Sequence, residues 1–296
     1  MREPLDSMNS KIVLLTGATS GIGRETALGL AAKGATLVLV GRSREKLDRT
    51  ISEITSRTGN QQIDSLICDL TSMESVRRLA QDFKAKYQRL DVLINNAGEI
   101  VGERRTTVDG HEYTLALDYL SHFLLTSLLL DIIKASAPSR IINVSSSAHM
   151  YGHINFDDLM GARKYGAMRA YGQAKLANLI FTYELARRLA GTGVTANALN
   201  PGLVRTNFGM GIKGRWRIPL LLKQRLSMSA RKGAETSIYL ASSPDVAGVS
   251  GMYFAKKKEK RSSKESYDES VAKRLWSESA RLTGSEWPDH WQSLAR

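Results

Sequence analysis

The stretch TGATSGIG, from Thr16 to Gly23, and the pair Tyr171 and Lys175 in YGQAK have residue types and spacing suited to chemistry. Glycines at 17, 21 and 23 let a backbone turn tightly, come close to an anion and pack a following helix against the preceding strand. The start of such a helix offers N–H groups and a partial positive charge to a pyrophosphate, with Gly17, Thr19, Ser20, Gly21, Ile22 and Gly23 as the cradle. The spacing is G-x-x-x-G-x-G, not the commonest dinucleotide fingerprint, so the loop takes its meaning from the strand and helix around it. Tyr171 and Lys175 stand four apart, hence on one face of a helix. Such pairs also arise by chance; what distinguishes this one is the run Ser145, Ser146 and Ser147 closing a strand-like segment.

These residues need elements to place them. Apolar, β-branched runs at 11–16, 36–40, 63–68, 92–95, 140–145 and 194–199 read as strands buried on both faces. Helical patterns at 22–33, 44–57, 72–86, 110–135 and 170–190 alternate with them, with Ser43, Thr71 and Asp109 as expected N-caps. Strict alternation predicts an α/β fold, a doubly wound parallel sheet of the Rossmann type, with ligands at the carboxyl ends of its strands. No composition break divides the chain, so one domain over 1–296 is expected, with 1–10 as an N-terminal extension. The alternation fails over 203–228 and then a helix is expected at 230–241 and a short strand at 251–255. In the C-terminal extension, 256–296, the run KKKEKRSSKE reads as solvated loop, and 267–282 has helical spacing with Val271, Leu275, Trp276 and Leu282 as its apolar stripe.

The second strand ends Val40–Gly41–Arg42–Ser43–Arg44, with no acid before Glu45. A carboxylate there would bind a ribose hydroxyl and repel a 2′-phosphate, whereas a guanidinium holds the phosphate with charge-assisted bonds. The residues therefore favour NADP(H) over NAD(H), with Arg42 as the contact and Ser43 in support. A formal net charge of +13 also raises the question of a polyanion. Its distribution is local: no Asp or Glu lies between Glu184 and Glu235, and the eight basic residues from Arg205 to Lys232 supply +8 of the total. No nucleic-acid module accompanies them. The single cysteine, Cys68, excludes an internal disulfide framework and fits a reducing, cytoplasmic setting. The opening MREPLDSMNS is too short and polar for a signal peptide, and no apolar run approaches the ~18 residues of a membrane span. The five histidines form no metal-ligand pattern; surface or packing roles are expected for His149 and His153.

Taken together and in order, TGATSGIG, NNAG at 95–98, NVSS at 143–146, YGQAK at 171–175 and NPGLVRT at 200–206 resemble the short-chain dehydrogenase/reductase family. The resemblance covers about residues 10 to 282. SSSAH, the 25-residue step from Ser146 to Tyr171, KLANLIFTYELARRL and GMYF followed by LW are similar to the retinol-dehydrogenase branch and its bacterial relatives. The resemblance implies hydride transfer between a nicotinamide and a carbonyl carbon, with Tyr171 as acid/base, Lys175 lowering its pKa from ~10 and holding the ribose, and Ser146 binding the substrate oxygen. It further implies that Asp69 and Leu70 meet the adenine. Asn95, Ala97 and Gly98 then floor the cofactor pocket, and Pro201, Gly202, Val204 and Thr206 form the turn over carboxamide and pyrophosphate. One position departs: LALDYLSHFLLT has Asp118 where the family pattern has Asn, which helps kink the helix so that a backbone carbonyl orders a water beside the lysine. Asp118 is either part of a working relay or a brake that pairs with Lys175, and the second reading leaves open a nucleotide-binding protein without turnover.

Within the resemblance, 203–228 is the substrate lid. It carries Phe208, Met210, Ile212, Trp216, Ile218, Pro219 and Leu220 to Leu222, which suits a lipophilic alcohol or carbonyl better than a sugar phosphate. Arg and Lys interleaved with Trp and Leu over 208–226 also match an interfacial segment, so peripheral membrane contact is a second expectation. The family further implies a homo-oligomer paired through the helices at 110–135 and 170–190.

Overall fold

Alternate residues of the apolar runs pack to opposite sides of one sheet. The structure, a computed structural model, describes residues 7–204 and 228–287. Strands β1 (Ile12–Thr16), β2 (Thr36–Gly41), β3 (Ile63–Ile67), β4 (Val92–Asn95), β5 (Ser139–Val144), β6 (Val194–Asn200) and β7 (Tyr253–Ala255) are parallel. A two-residue β8 (Lys258–Glu259) adds antiparallel to β7, and the order across the sheet is 3-2-1-4-5-6-7-8. Val13 and Leu15 of β1 pack beneath α1 (Gly21–Ala31), α2 (Arg44–Thr58) and the later helix α7 (Ala230–Ser242). Leu14, between them, faces the other layer: α3 (Met73–Lys86), the composite helix α4 (113–128), α6 (Ala167–Arg188) and α8 (Glu269–Thr283). Period-two burial on both faces is what an all-parallel core requires. Helix α4 runs Tyr113–Leu115, passes through a π-helical stretch Ala116–Leu120 and continues Ser121–Leu128; α5 (Leu130–Ala135) follows after Leu129. Because β1 is flanked by β2 on one side and β4 on the other, a crevice opens at its carboxyl end.

Local differences from the sequence reading have local causes. Ser43 caps α2 as expected, accepting from the Lys46 N–H at 3.3 Å. Helix α3 is capped by Ser72 instead of Thr71. Asp109 does not begin the next helix: its carboxylate accepts from the Met73 N–H at 2.9 Å, serving α3 across the chain. Residues 106–112 form a tight reversal through Gly110, at φ 82°, and Glu112 caps α4 by accepting from Thr114 and Leu115. The segment 256–265 contains more than loop: Lys256 and Lys257, at φ 54° and 60°, turn the chain into β8. That turn was hidden because left-handed backbone is normally announced by Gly or Asn.

Trp276 and Leu275 of α8 cover Phe123 of α4 and Phe181 of α6, as the apolar stripe of 267–282 implied. Residues 114–126 and 171–185 are all buried within this one chain, and the exposed residues of the two helices expected to pair subunits lie toward their ends, Asp131, Ala135 and Arg187 among them. Among the described residues, no helix is long and apolar enough to cross a membrane. Most of the basic lid, and Thr206 with it, lies outside the described residues; Arg231 and Lys232 stand exposed in the first turn of α7.

Candidate active site

The glycine loop leaves β1 at Thr16 and enters α1 at Gly21. Gly17, at φ 68°, is backed so closely by the β4 loop that a β-carbon would lie 2.9 Å from Ala97 Cα. A β-carbon on Gly23 would lie 2.2 Å from the Gly17 carbonyl oxygen, so neither position admits a side chain. Two residues that the sequence reading passed over fix this contact. Asn96 donates from Nδ2 to the Thr16 carbonyl at 2.8 Å, and Thr16 Oγ1 accepts from the Asn96 and Ala97 N–H groups at 2.9 and 3.0 Å. The NNAG run could have pointed to Asn96, since its amide follows the strand directly. Asn95 turns away from the crevice: fully buried, it donates to Thr126 Oγ1 and Asn143 Oδ1 and ties β4 to α4 and β5. Ser20, ahead of α1, makes no side-chain cap bond, and the first turn carries no acid.

Tyr171, Ser146 and Lys175 come together at the carboxyl end of β5. Ser146 follows that strand and accepts from the Ala148 N–H at 3.2 Å, while Ser145 donates to the Lys175 carbonyl at 2.8 Å and seats α6 against the strand. Lys175 Nζ is buried 3.0 Å from Asp118 Oδ2, donates to the Val144 carbonyl at 3.3 Å and lies 5.5 Å from the Tyr171 ring centre. Asp118, fully buried, also accepts from the Glu99 N–H at 2.8 Å through Oδ1. Gly98 roofs this pair: a β-carbon there would lie 2.9 Å from both Asp118 Oδ2 and Lys175 Nζ.

The electrostatics differ from the simple expectation of a lowered phenol pKa. Burial, followed by the Asp118 charge, pushes Tyr171 upward, and its hydrogen bond with Ser146 pulls the other way. Burial pushes the Asp118 carboxyl up to about 6, against the opposing pull of Lys175 and the Glu99 amide. Lys175 therefore shares its charge with Asp118 before it acts on Tyr171. The kink expected near Asp118 is present as the π-helical stretch, but the Asp118 carbonyl is taken by Asn178 Nδ2 at 2.7 Å. Asn178 stands three residues after Lys175 on α6, a spacing that could have flagged it.

At the other end of the crevice Arg42 is exposed after β2 and donates to the Tyr113 hydroxyl at 3.2 Å. Burial works against its charge, yet the Tyr113 hydroxyl and the Asp69 and Glu99 carboxylates carry its pKa upward. Ser43 beside it is engaged as the α2 cap. Asp69, exposed after β3, accepts from the Thr71 N–H and hydroxyl at 3.0 and 2.8 Å, with Leu70 buried next to it. Gly202, at φ 88°, donates to Asn200 Oδ1 at 2.9 Å after Pro201. Val204 bridges to Met228 and reaches Gly233, whose missing β-carbon would also lie 3.4 Å from Ile22. The root of the lid is thus set against the first turn of α1. His149 is buried edge-on to Tyr253, and the exposed His153 pairs with Glu265 at 2.9 Å.

Comparison with known proteins agrees with this geometry. The short chain dehydrogenase family model matches residues 11–215. Human retinol dehydrogenase 13 is 47% identical over 284 residues, covering 94% of this chain and 86% of its own length. An uncharacterized protein from Mycobacterium paratuberculosis superposes with a TM-score of 0.77 at 34% identity, over 96% of this chain and 97% of its own. A short chain dehydrogenase from Escherichia coli CFT073, solved with NADPH, gives 0.68 at 27% identity over 86% of this chain and all of its own. A loop, a catalytic helix and a sheet order that agree over this length leave one assignment: the chain is an oxidoreductase of the short-chain dehydrogenase family, on its retinol-dehydrogenase branch.

Proposed function

We propose that the chain interconverts a lipophilic alcohol and its aldehyde or ketone with NADP(H), and that Tyr171 moves the proton. The convergence of Tyr171, Ser146 and Lys175 at the mouth of the crevice carries this reading. The loop fits a dinucleotide: with Ser20 capping nothing and no acid in the first turn, the leading amides of α1 suit a pyrophosphate. Gly17 to Gly23 would hold it, Arg42 the 2′-phosphate, Asp69 and Leu70 the adenine, and Lys175 with Tyr171 the nicotinamide ribose. Ala97 and Gly98 would floor the pocket, and the turn from Pro201 through Val204 would cover it. Bound there, the nicotinamide supplies or takes up a hydride.

The side chains manage the oxygen. When the alcohol is oxidised, Tyr171 Oη takes its hydroxyl proton; when the carbonyl is reduced, Tyr171 returns one. Ser146 hydrogen-bonds that oxygen and stabilises its alkoxide character. A lipophilic substrate is favoured by the apolar members of 203–228, by Leu203 standing exposed at the root of that segment, and by the retinol-dehydrogenase likeness. The same apolar and basic segment supports a peripheral contact with an anionic membrane surface, which flotation with anionic liposomes tests; binding insensitive to salt, or none, removes it.

One observation favours a second reading. The buried Asp118–Lys175 pair withholds lysine charge from Tyr171, as in a nucleotide-binding protein of this fold with turnover suppressed. The deciding experiment mixes purified protein and NADPH with lipophilic aldehydes and ketones, and NADP+ with the matching alcohols. Cofactor turnover with one or more of them is expected. Tight NADPH binding with no turnover across the whole panel would establish the second reading instead.

A further inference from the structure

Three side chains cross the mouth of the crevice, and two of them, Glu99 and Tyr113, have no role in the reaction above. Arg42 leaves the end of β2, Glu99 follows β4, and β1 with its glycine loop lies between those strands. Tyr113, the first residue of α4, joins them. Arg42 Nη1 donates to Tyr113 Oη at 3.2 Å, and the Tyr113 hydroxyl donates to Glu99 Oε2 at 3.2 Å. The direction of these bonds matters. With its proton committed to Glu99, the phenol oxygen turns its lone pairs toward Arg42 and acts as a neutral acceptor for the guanidinium.

An arginine on an exposed loop has many rotamers, and fixing its planar fork in advance lowers the entropy lost when a ligand binds. Ser43, the neighbour expected to assist, is committed to capping α2. We infer that Tyr113, oriented by Glu99, is a positioning residue that presents the Arg42 guanidinium to the 2′-phosphate of the dinucleotide and so sets its preference for the phosphorylated cofactor. This rests on the NADP(H) reading proposed above. The phenol suits the task because it is neutral: a carboxylate in direct contact with Arg42 would hold the guanidinium as well but repel the phosphate. Asp69 and Glu99 are near enough to act on Arg42 electrostatically, and it is Tyr113 that makes the hydrogen bond.

The test uses fragments that need no turnover. Calorimetric titration of the full chain with adenosine 2′,5′-bisphosphate and with 5′-AMP isolates the contribution of the 2′-phosphate. In Tyr113→Phe, affinity for the bisphosphate should fall about three- to tenfold, the range for one hydrogen bond of ordinary net strength, since the bond positions the guanidinium and does not touch the ligand, with 5′-AMP unchanged. Arg42→Ala should lose more, and adding Tyr113→Phe to it should cost nothing further. In kinetics the same variant should raise KM for NADPH and leave KM for NADH in place. Equal loss with both fragments, no loss, or the same loss in the Arg42→Ala background overturns the inference. If Arg42→Ala itself leaves the preference for the bisphosphate intact, the underlying cofactor reading falls, an outcome distinct from an effect missing only in Tyr113→Phe.

Discussion

Asp118 stands where the family pattern has asparagine, and its charge acts directly on the ionisation of Tyr171. Its carboxyl, pushed up to about 6 by burial, is anionic above that pH and then raises the phenol. Below that pH it protonates and the repulsion disappears. Asp118→Asn removes the charge at every pH, so the phenol should ionise more easily. The alkaline rise in kcat/KM for alcohol oxidation is then expected to move down by about one pH unit, equivalent to about 1.4 kcal/mol. An unchanged pH profile would take Asp118 out of the mechanism. His122, one turn further along α4, tests the same buried cluster through stability. Burial and the nearby Lys175 charge lower its pKa to about 3, from 6.5 when exposed, with Asn178 Oδ1 3.3 Å from Nδ1. Between those values the unfolded chain binds a proton that the folded chain refuses, so stability is intact above pH 6.5 and falls as pH drops toward 3. The total is on the order of 5 kcal/mol. Urea titrations from pH 7 to 4 should therefore show a shallower decline in His122→Gln than in the wild type; parallel curves would show that other groups cause the acid loss.

The π-helical stretch of α4 is the element that brings Asp118 onto Lys175. A π-turn carries an extra residue and leaves carbonyls without their usual helical donors, an arrangement common at functional sites. Here Asn178 of α6 supplies the donor to the Asp118 carbonyl and thereby locks the two helices in register. Asn178→Ala removes the donor to the Asp118 carbonyl and the oxygen facing His122, both in the core. The expected loss is about 1–3 kcal/mol in urea unfolding, with a larger fall in kcat than in KM because Asp118 and Lys175 lose their placement. Stability and kcat equal to the wild type would show that the π-stretch holds itself. Much of this was legible in advance. Strands β1 to β6 follow from their apolar and β-branched runs, the glycine loop from its strand–turn–helix setting, and the grouping of Ser146, Tyr171 and Lys175 from the resemblance that the ordered motifs carry. Tyr113 was not legible, because it acts by hydrogen bonds to other elements, which no local pattern records; the NNAG run and the step of three from Lys175 mark Asn96 and Asn178 without naming the elements they bond. The turn at Lys256–Lys257 escaped for the opposite reason: its residues do not announce their backbone conformation.

Across the whole molecule, the C-terminal helix accounts for burial that the sheet and its central helices cannot supply alone. Trp276 meets Phe123 at 5.2 Å, Phe181 at 5.8 Å and Trp287 at 4.5 Å between ring centres, and the Arg188 guanidinium lies 4.2 Å from its ring centre. Arg77 of α3 donates to the Thr283 and Gly284 carbonyls and holds the end of α8 from the other side. The apolar surface beneath is that of α4 and α6, the pair of helices expected from sequence to join subunits. In this chain α8 covers the aromatic part of that surface, Phe123 and Phe181. Trp276→Ala leaves a cavity among large aromatic rings, and the expected destabilisation is about 3–5 kcal/mol in urea unfolding. Ending the chain at Tyr267 removes the cover entirely and exposes Phe123 and Phe181 to solvent. Light scattering on the shortened chain should then show concentration-dependent association beyond that of the full chain, because a contiguous apolar face of this kind rarely stays uncovered in water. If the shortened chain scatters like the full one and keeps its unfolding midpoint, α8 is an appendage and the core is complete without it.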